Sequence, residues 1–181
     1  MKKRFLSILA TLCLCLTLLP ATALADSSVD RVPVDVSNWT DLRKTVTESQ
    51  DDVINVQLTQ GIKWDEGSIV IPKGKTVTLD LPDGCNIDAK NSGTAIQVHG
   101  NLIINGNQSG MITQGAATDG SPAGGIYIAP GGRVTMNGGM IANCSAGTQT
   151  ATGVGGVYVS EGATFEMNAG YIAQCSGGNE S

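Results

Sequence analysis

No glycine occurs before Gly61; all 24 lie at or beyond it, about one residue in five from there on. Each interior glycine costs a helix roughly 1 kcal/mol relative to alanine, so this distribution excludes an all-α fold. The glycines keep no three-residue period, which excludes a collagen-like chain. Positive charge is scarce as well. With residues 1–25 set aside as a removable leader, 156 of the 181 residues remain, and 8 of the 11 basic side chains face all 16 acidic ones, a balance of −8. No Lys/Arg stripe is left to neutralise phosphates, which argues against a nucleic-acid partner. Histidine occurs once, as His99, and only Cys85, Cys144 and Cys175 lie beyond the leader. They offer no zinc spacing, and aspartate does not recur at the fixed offset of a calcium-binding repeat, so no metal or other cofactor is expected.

The first residues read as an address. Lys2, Lys3 and Arg4 precede an apolar run from Phe5 to Leu19, too short for the roughly 20 residues that span a bilayer. Pro20 ends the run, and Ala23-Leu24-Ala25 is a small-x-small cleavage site before Asp26. A secretory signal peptide over residues 1–25 predicts a mature chain that starts at Asp26 and is secreted or held at the cell surface. No second long apolar run follows, so no transmembrane segment is expected in the mature chain.

Residues 26–52 form a segment of their own, charged and free of glycine. Ser37 or Asn38 is placed to cap a short helix whose one face carries Trp39, Leu42, Arg43 and Val46. From residue 53 to 181 strand patterns take over. Val53–Leu58 alternates apolar and polar; Ile69–Ile71, Val77–Leu81, Ala95–Val98 and Leu102–Ile104 follow.

An internal repeat decides the architecture. A shift of 31 lays Ala123–Gly147 on Val154–Gly178 with 12 of 25 positions identical, among them Tyr127/Tyr158, Met136/Met167, Asn137/Asn168, Ile141/Ile172 and Cys144/Cys175. A looser copy precedes them around Ile96–Val98, Leu102–Gly106 and Gly110–Ile112. Each copy holds three short strands, which cannot close a core alone but can stack coil on coil about 4.8 Å apart. The predicted fold is all-β: a right-handed parallel β-helix of three-strand coils of about 30 residues, with a short N-terminal cap helix. Ile126, Ile128, Val134, Met136 and Ile141 should face inward above Val157, Val159, Phe165, Met167 and Ile172. Asn105, Asn137 and Asn168 recur at a bend, where asparagine tolerates a left-handed backbone and stacked amides can bond from coil to coil. The last coil ends at Cys175-Ser176, and only Gly177–Ser181 follow it. The chain is therefore expected to be C-terminally incomplete, and to self-associate through an uncapped last coil when made alone.

The blocks GGIYIAPGGRVTMNGGMIANC and GGVYVSEGATFEMNAGYIAQC resemble repeats of the pectin-lyase-like superfamily of parallel β-helix proteins. More narrowly, they are similar to glycine-rich repeat surface proteins of Gram-positive bacteria. Ile71–Leu81 resembles the first coils of that group, although Pro82-Asp83-Gly84 replaces the usual asparagine-glycine after it. The resemblance spans about residues 53–178. It implies the fold; the function it leaves open, since this fold hosts lyases, hydrolases, adhesins and inert stalks alike.

Enzymes on this fold that cut acidic polysaccharides group carboxylates with a Lys, Arg or His on one outer face, for general acid and base work or for calcium. Between Asn91 and Gly178 only Asp119, Arg133, Glu161, Glu166 and His99 are available. Glu161 and Glu166 flank a strand start without a positioned partner and read as solvated residues; His99 reads as a loop residue, and Asp51-Asp52 as the end of the cap region. No catalytic residue is assigned. Cys144 and Cys175 recur one coil apart, as a disulfide or as an inward ladder of reduced thiols. The exterior column Gln97, Tyr127, Tyr158 either offers flat rings to a sugar or merely stacks on itself. The expected function is an exported cell-surface module with a structural or adhesive role toward glycans or surface proteins. The alternative is part of a polysaccharide lyase or glycoside hydrolase whose catalytic coils lie outside this chain.

Overall fold

The computed structural model describes residues 32–117, 121–146 and 153–178. The expected signal peptide, its cleavage site and Asp119 lie outside these residues.

Alternating side chains build the first strands: β1 (Val34–Val36), then, after the helix α1 (Trp39–Glu48), β2 (Val53–Leu58). Asn38 is the N-cap of α1, its side-chain oxygen accepting from the Asp41 amide at 2.8 Å. Trp39, Leu42 and Val46 make the buried face of the helix. The Trp39 indole packs 5.0 Å from that of Trp64 and donates to the Gly67 carbonyl at 2.9 Å. α1 thus lies against the first coil near β4 (Ile69–Ile71). The cap segment contributes more than a helix: β1 pairs in parallel with β2, setting Val34 beside Val56 and Val36 beside Leu58.

The remaining strands are β3 (Ile62–Lys63), β5 (Thr76–Leu81), β6 (Asn86–Asp88), β7 (Ile96–Val98), β8 (Asn101–Gly106), β9 (Met111–Thr113), β10 (Ile126–Ile128), β11 (Arg133–Met136), β12 (Met140–Ala142), β13 (Val157–Val159), β14 (Thr164–Met167) and β15 (Tyr171–Ala173). They form three parallel sheets, ordered β1-β2-β5-β8-β11-β14, β4-β7-β10-β13 and β3-β6-β9-β12-β15. From β2 on, each strand neighbours the one three places along the chain, which is the signature of a coiled chain. The fold is an all-β parallel β-helix of about four turns with one short helix near its N-terminus.

Register turns the repeat into a core. Ile54, Val77, Leu102, Val134 and Phe165 make one inward ladder, and Ile62, Ile87, Ile112, Ile141 and Ile172 another. Period-2 alternation points these side chains in and their neighbours out, so each coil buries apolar area at roughly 25 cal/mol per Å² against the next. The expected inward layer of Ile126, Ile128, Val134, Met136 and Ile141 is completely buried. One coil later the same positions are open: Val159, Met167 and Ile172 are each more than 40% exposed.

The expected coil of about 30 residues gains detail, and one expectation needs correction. The coils are not of one length. Along the first sheet, Asp80 and Asn105 are separated by 25 positions, Asn105 and Asn137 by 32, and Asn137 and Asn168 by 31. The step from Ile54 to Val77 belongs with the short ones. The later coils are longer because their turns are, while the strands keep their register. The left-handed backbone, in turn, does not fall on Asn105, Asn137 or Asn168. It falls on Gln114, Asn143 and Gln174, just after β9, β12 and β15, and at the other bend on Gly139 and Gly170. The asparagines stay in the ladder instead: the amides of Asn137 and Asn168 donate to Ile104 and Met136, each at 2.8 Å, and glycine takes the turn. The side-chain half of the expectation holds. Asn168 donates to Asn137 at 2.9 Å, Asn137 to Asn105 at 3.1 Å and Asn105 to the Asp80 carboxylate at 2.8 Å.

Candidate functional site

The sheet β4-β7-β10-β13 has one outward position per strand, and register stacks these as Val70, Gln97, Tyr127 and Tyr158. The two tyrosine rings lie 6.0 Å apart, tilted by 37°. Both are half-buried. Gln97 shares the column but not the stacking, since its amide donates to the Ser68 hydroxyl at 3.2 Å. The third ring comes from His99, in the exposed turn after β7, set edge-on to Tyr127 at 6.5 Å. Its place beside the column was not visible in the sequence, where it stood as a loop residue. The result is a strip of three rings along the coil axis, with hydroxyl and imidazole groups at its margins. Such a strip can stack on the apolar faces of sugar rings while exchanging hydrogen bonds at its edges.

The carboxylates take other places. Glu166 lies outward on β14 and accepts from Arg133 on β11 at 2.8 Å, an exposed pair of the kind that contributes little to stability. Glu161 sits in the exposed turn between β13 and β14. Asp51 and Asp52 follow α1, where the Lys75 ammonium donates to the Ser49 and Asp51 carbonyls at 2.6 and 2.9 Å and the Thr76 amide to the Asp52 carbonyl. Among the described residues, no three His, Cys, Asp or Glu side chains gather where they could hold a metal ion. No helix among them is long and apolar enough to cross a membrane.

Cys85, Cys144 and Cys175 are free thiols. Cys144 and Cys175 follow the paired Ala142 and Ala173 at the same offset. Burial pushes the Cys144 thiol from 9.0 up to about 12, nearby Cys175 adds to the rise, and a hydrogen bond with the Gly115 backbone opposes it. A nucleophilic role for Cys144 is therefore disfavoured at neutral pH. Between pH 9.0 and about 12 the unfolded chain has lost a proton that the folded chain keeps. Folding stability supplied by this group is full below pH 9 and declines as pH rises through that window. Urea unfolding at pH 8 and pH 10.5 should show a larger loss for the wild type than for Cys144→Ala; parallel losses would exclude the thiol as the cause.

The chain matches no protein-family model, and neither a curated protein nor a solved structure is similar to it beyond chance.

Proposed function

We propose that this protein is an exported β-helix module of the cell surface that contacts glycans through its ring strip. The observation carrying this reading is the strip itself: Tyr127 and Tyr158 stacked on one outer sheet with His99 edge-on beside Tyr127 from the turn after β7, at centroid spacings of 6.0 and 6.5 Å. Two features of the sequence support it. The leader addresses the chain to the exterior, and the glycine-rich repeats resemble those of Gram-positive surface proteins in the pectin-lyase-like superfamily. In this reading the protein presents rather than reacts: a stiff rod holds its rings at fixed spacing, so ordering them on binding costs little entropy.

Affinity electrophoresis of the purified chain through gels containing soluble glucan, mannan or polygalacturonate tests the proposal. At least one polysaccharide should retard the wild type. Tyr127→Ala/Tyr158→Ala should clearly weaken that retardation with an unchanged far-UV dichroism spectrum, because both rings point away from the core. Retardation of the double variant equal to the wild type, or none of either protein, would overturn the reading. Incubation with polygalacturonate is expected to release no reducing or unsaturated ends.

A further inference from the structure

A concavity whose exposed lining is more apolar than polar lies on a different sheet from the ring strip. It is an open groove of about 370 Å³ at the end of β5 and β8, lined by Gln57, Asp80, Pro82, Asn105, Gly106 and Asn107. Register creates it. Gln57 on β2 is the partner of Asp80 on β5, and Asp80 is the partner of Asn105 on β8, so three outward polar side chains from successive coils stand in a row. Pro82 and Asn107 follow in the turns beyond β5 and β8.

The polar groups of the groove are held but not exhausted. Asp80 Oδ1 accepts from Asn105 Nδ2 at 2.8 Å, which fixes the carboxylate and leaves Oδ2 without a partner among the described residues. Asn105 Oδ1 is taken by Asn137 at 3.1 Å. Asn107 Oδ1 accepts from the Ser109 amide at 3.3 Å, while the Ser109 hydroxyl, 3.2 Å from the same oxygen, donates to the Asp83 carboxylate; the Asn107 NH2 group is left available. The Gln57 amide has no hydrogen-bond partner among the described residues. One carboxylate oxygen, one whole amide and one amide NH2 thus converge, with the Pro82 ring as an apolar wall.

This inventory selects a ligand class. An anion would meet the Asp80 carboxylate, with Asp83 exposed in the next turn. A calcium ion takes about six to eight oxygens, and the groove has two uncommitted ones, on Asp80 and Gln57. A neutral polyol suits the set: one hydroxyl donates to the carboxylate, its neighbour accepts from an amide, and the ring's C–H face lies on proline. A volume of about 370 Å³ is at the small end of ligand sites, room for one or two sugar rings. We infer that the groove is a subsite for a neutral hexose unit of a glycan. The inference rests on the glycan reading proposed above but uses none of the same residues.

Titration of the full chain with cellohexaose and with mannohexaose, followed by 15N-resolved NMR, tests it, with trigalacturonate as the acidic control. One neutral oligosaccharide should shift the side-chain amides of Gln57, Asn105 and Asn107, and trigalacturonate should not. Gln57→Ala and Asp80→Asn should each weaken that binding about fivefold, the size of one or two lost hydrogen bonds. Tyr127→Ala/Tyr158→Ala should leave the groove shifts in place. Shifts confined to the ring strip would overturn the groove and keep the strip, whereas shifts confined to the groove would do the reverse. No groove shift at about 10 mM of either neutral sugar, or full binding by Gln57→Ala, would also overturn the inference.

Discussion

Replacing Gly124 by alanine is expected to destabilise the protein by about 3 kcal/mol or more, among the largest effects of any single methyl group in the chain. A β-carbon at Gly124 would overlap the Ser145 carbonyl oxygen outright, and would lie 2.6 Å from that of Gly115 and 2.9 Å from that of Gly155. All three are backbone atoms, committed to the coil-to-coil ladder. Gly124 itself donates to Val154 at 3.0 Å, Ser145 donates to Gly115 at 2.8 Å, and the Gly155 carbonyl accepts from Gly125 at 2.8 Å. None can retreat without breaking a hydrogen bond between coils. The comparison is Gly131→Ala. Gly131 has φ +79° and nothing within 4 Å of the added carbon, so its substitution meets only backbone strain, about 1–2 kcal/mol. Urea midpoints at constant m-value read both effects. Equal costs at the two positions would mean that adjacent coils do not approach this closely at Gly124.

Ile141→Ala should cost about 2–5 kcal/mol, while Ile172→Ala, the same residue one coil later, should cost only about 1 kcal/mol. Ile141 is fully buried between Ile112 and Ile172, its partners in register on either side. Truncating it opens a cavity in a ladder closed above and below. Ile172 is 41% exposed and, among the described residues, has a stacked partner on one side only. Water already reaches it, so its truncation removes less contact and leaves no enclosed void. Position, not residue type, sets the difference. If both variants lost the same stability, the assigned order of the coils would be wrong.

The part of the fold legible in the sequence is the part where coils repeat closely. The shift that aligns Ile126 with Val157, Val134 with Phe165 and Ile141 with Ile172 is also the register of the last two coils. It was readable because inward positions must match in size to stack, and because the glycine corners admit no side chain. The first coils gave less warning. Their shorter steps, from Ile54 to Val77 and from Val77 to Leu102, share no period with the later ones. In addition, β3 and β6 each offer a single inward isoleucine among polar neighbours. Asparagine at the bend signals its amide ladder but not its backbone, since after Asn137 and Asn168 the positive φ is supplied by Gly139 and Gly170. The tyrosine column followed from register alone. His99 joined it only through the path of a turn, and the groove of Gln57, Asp80 and Asn105 depended on those unequal early coil lengths.

The central claim is that like residues of successive coils lie side by side in parallel register, which is what aligns both the tyrosines of the ring strip and the groove. NOE spectroscopy on isotope-labelled protein measures this directly. The account predicts interstrand backbone contacts between Tyr127 and Tyr158, Val134 and Phe165, and Ile141 and Ile172, each pair one coil apart. Contacts of an antiparallel meander, with β13 paired to β14 and β14 to β15 within one repeat, would contradict it.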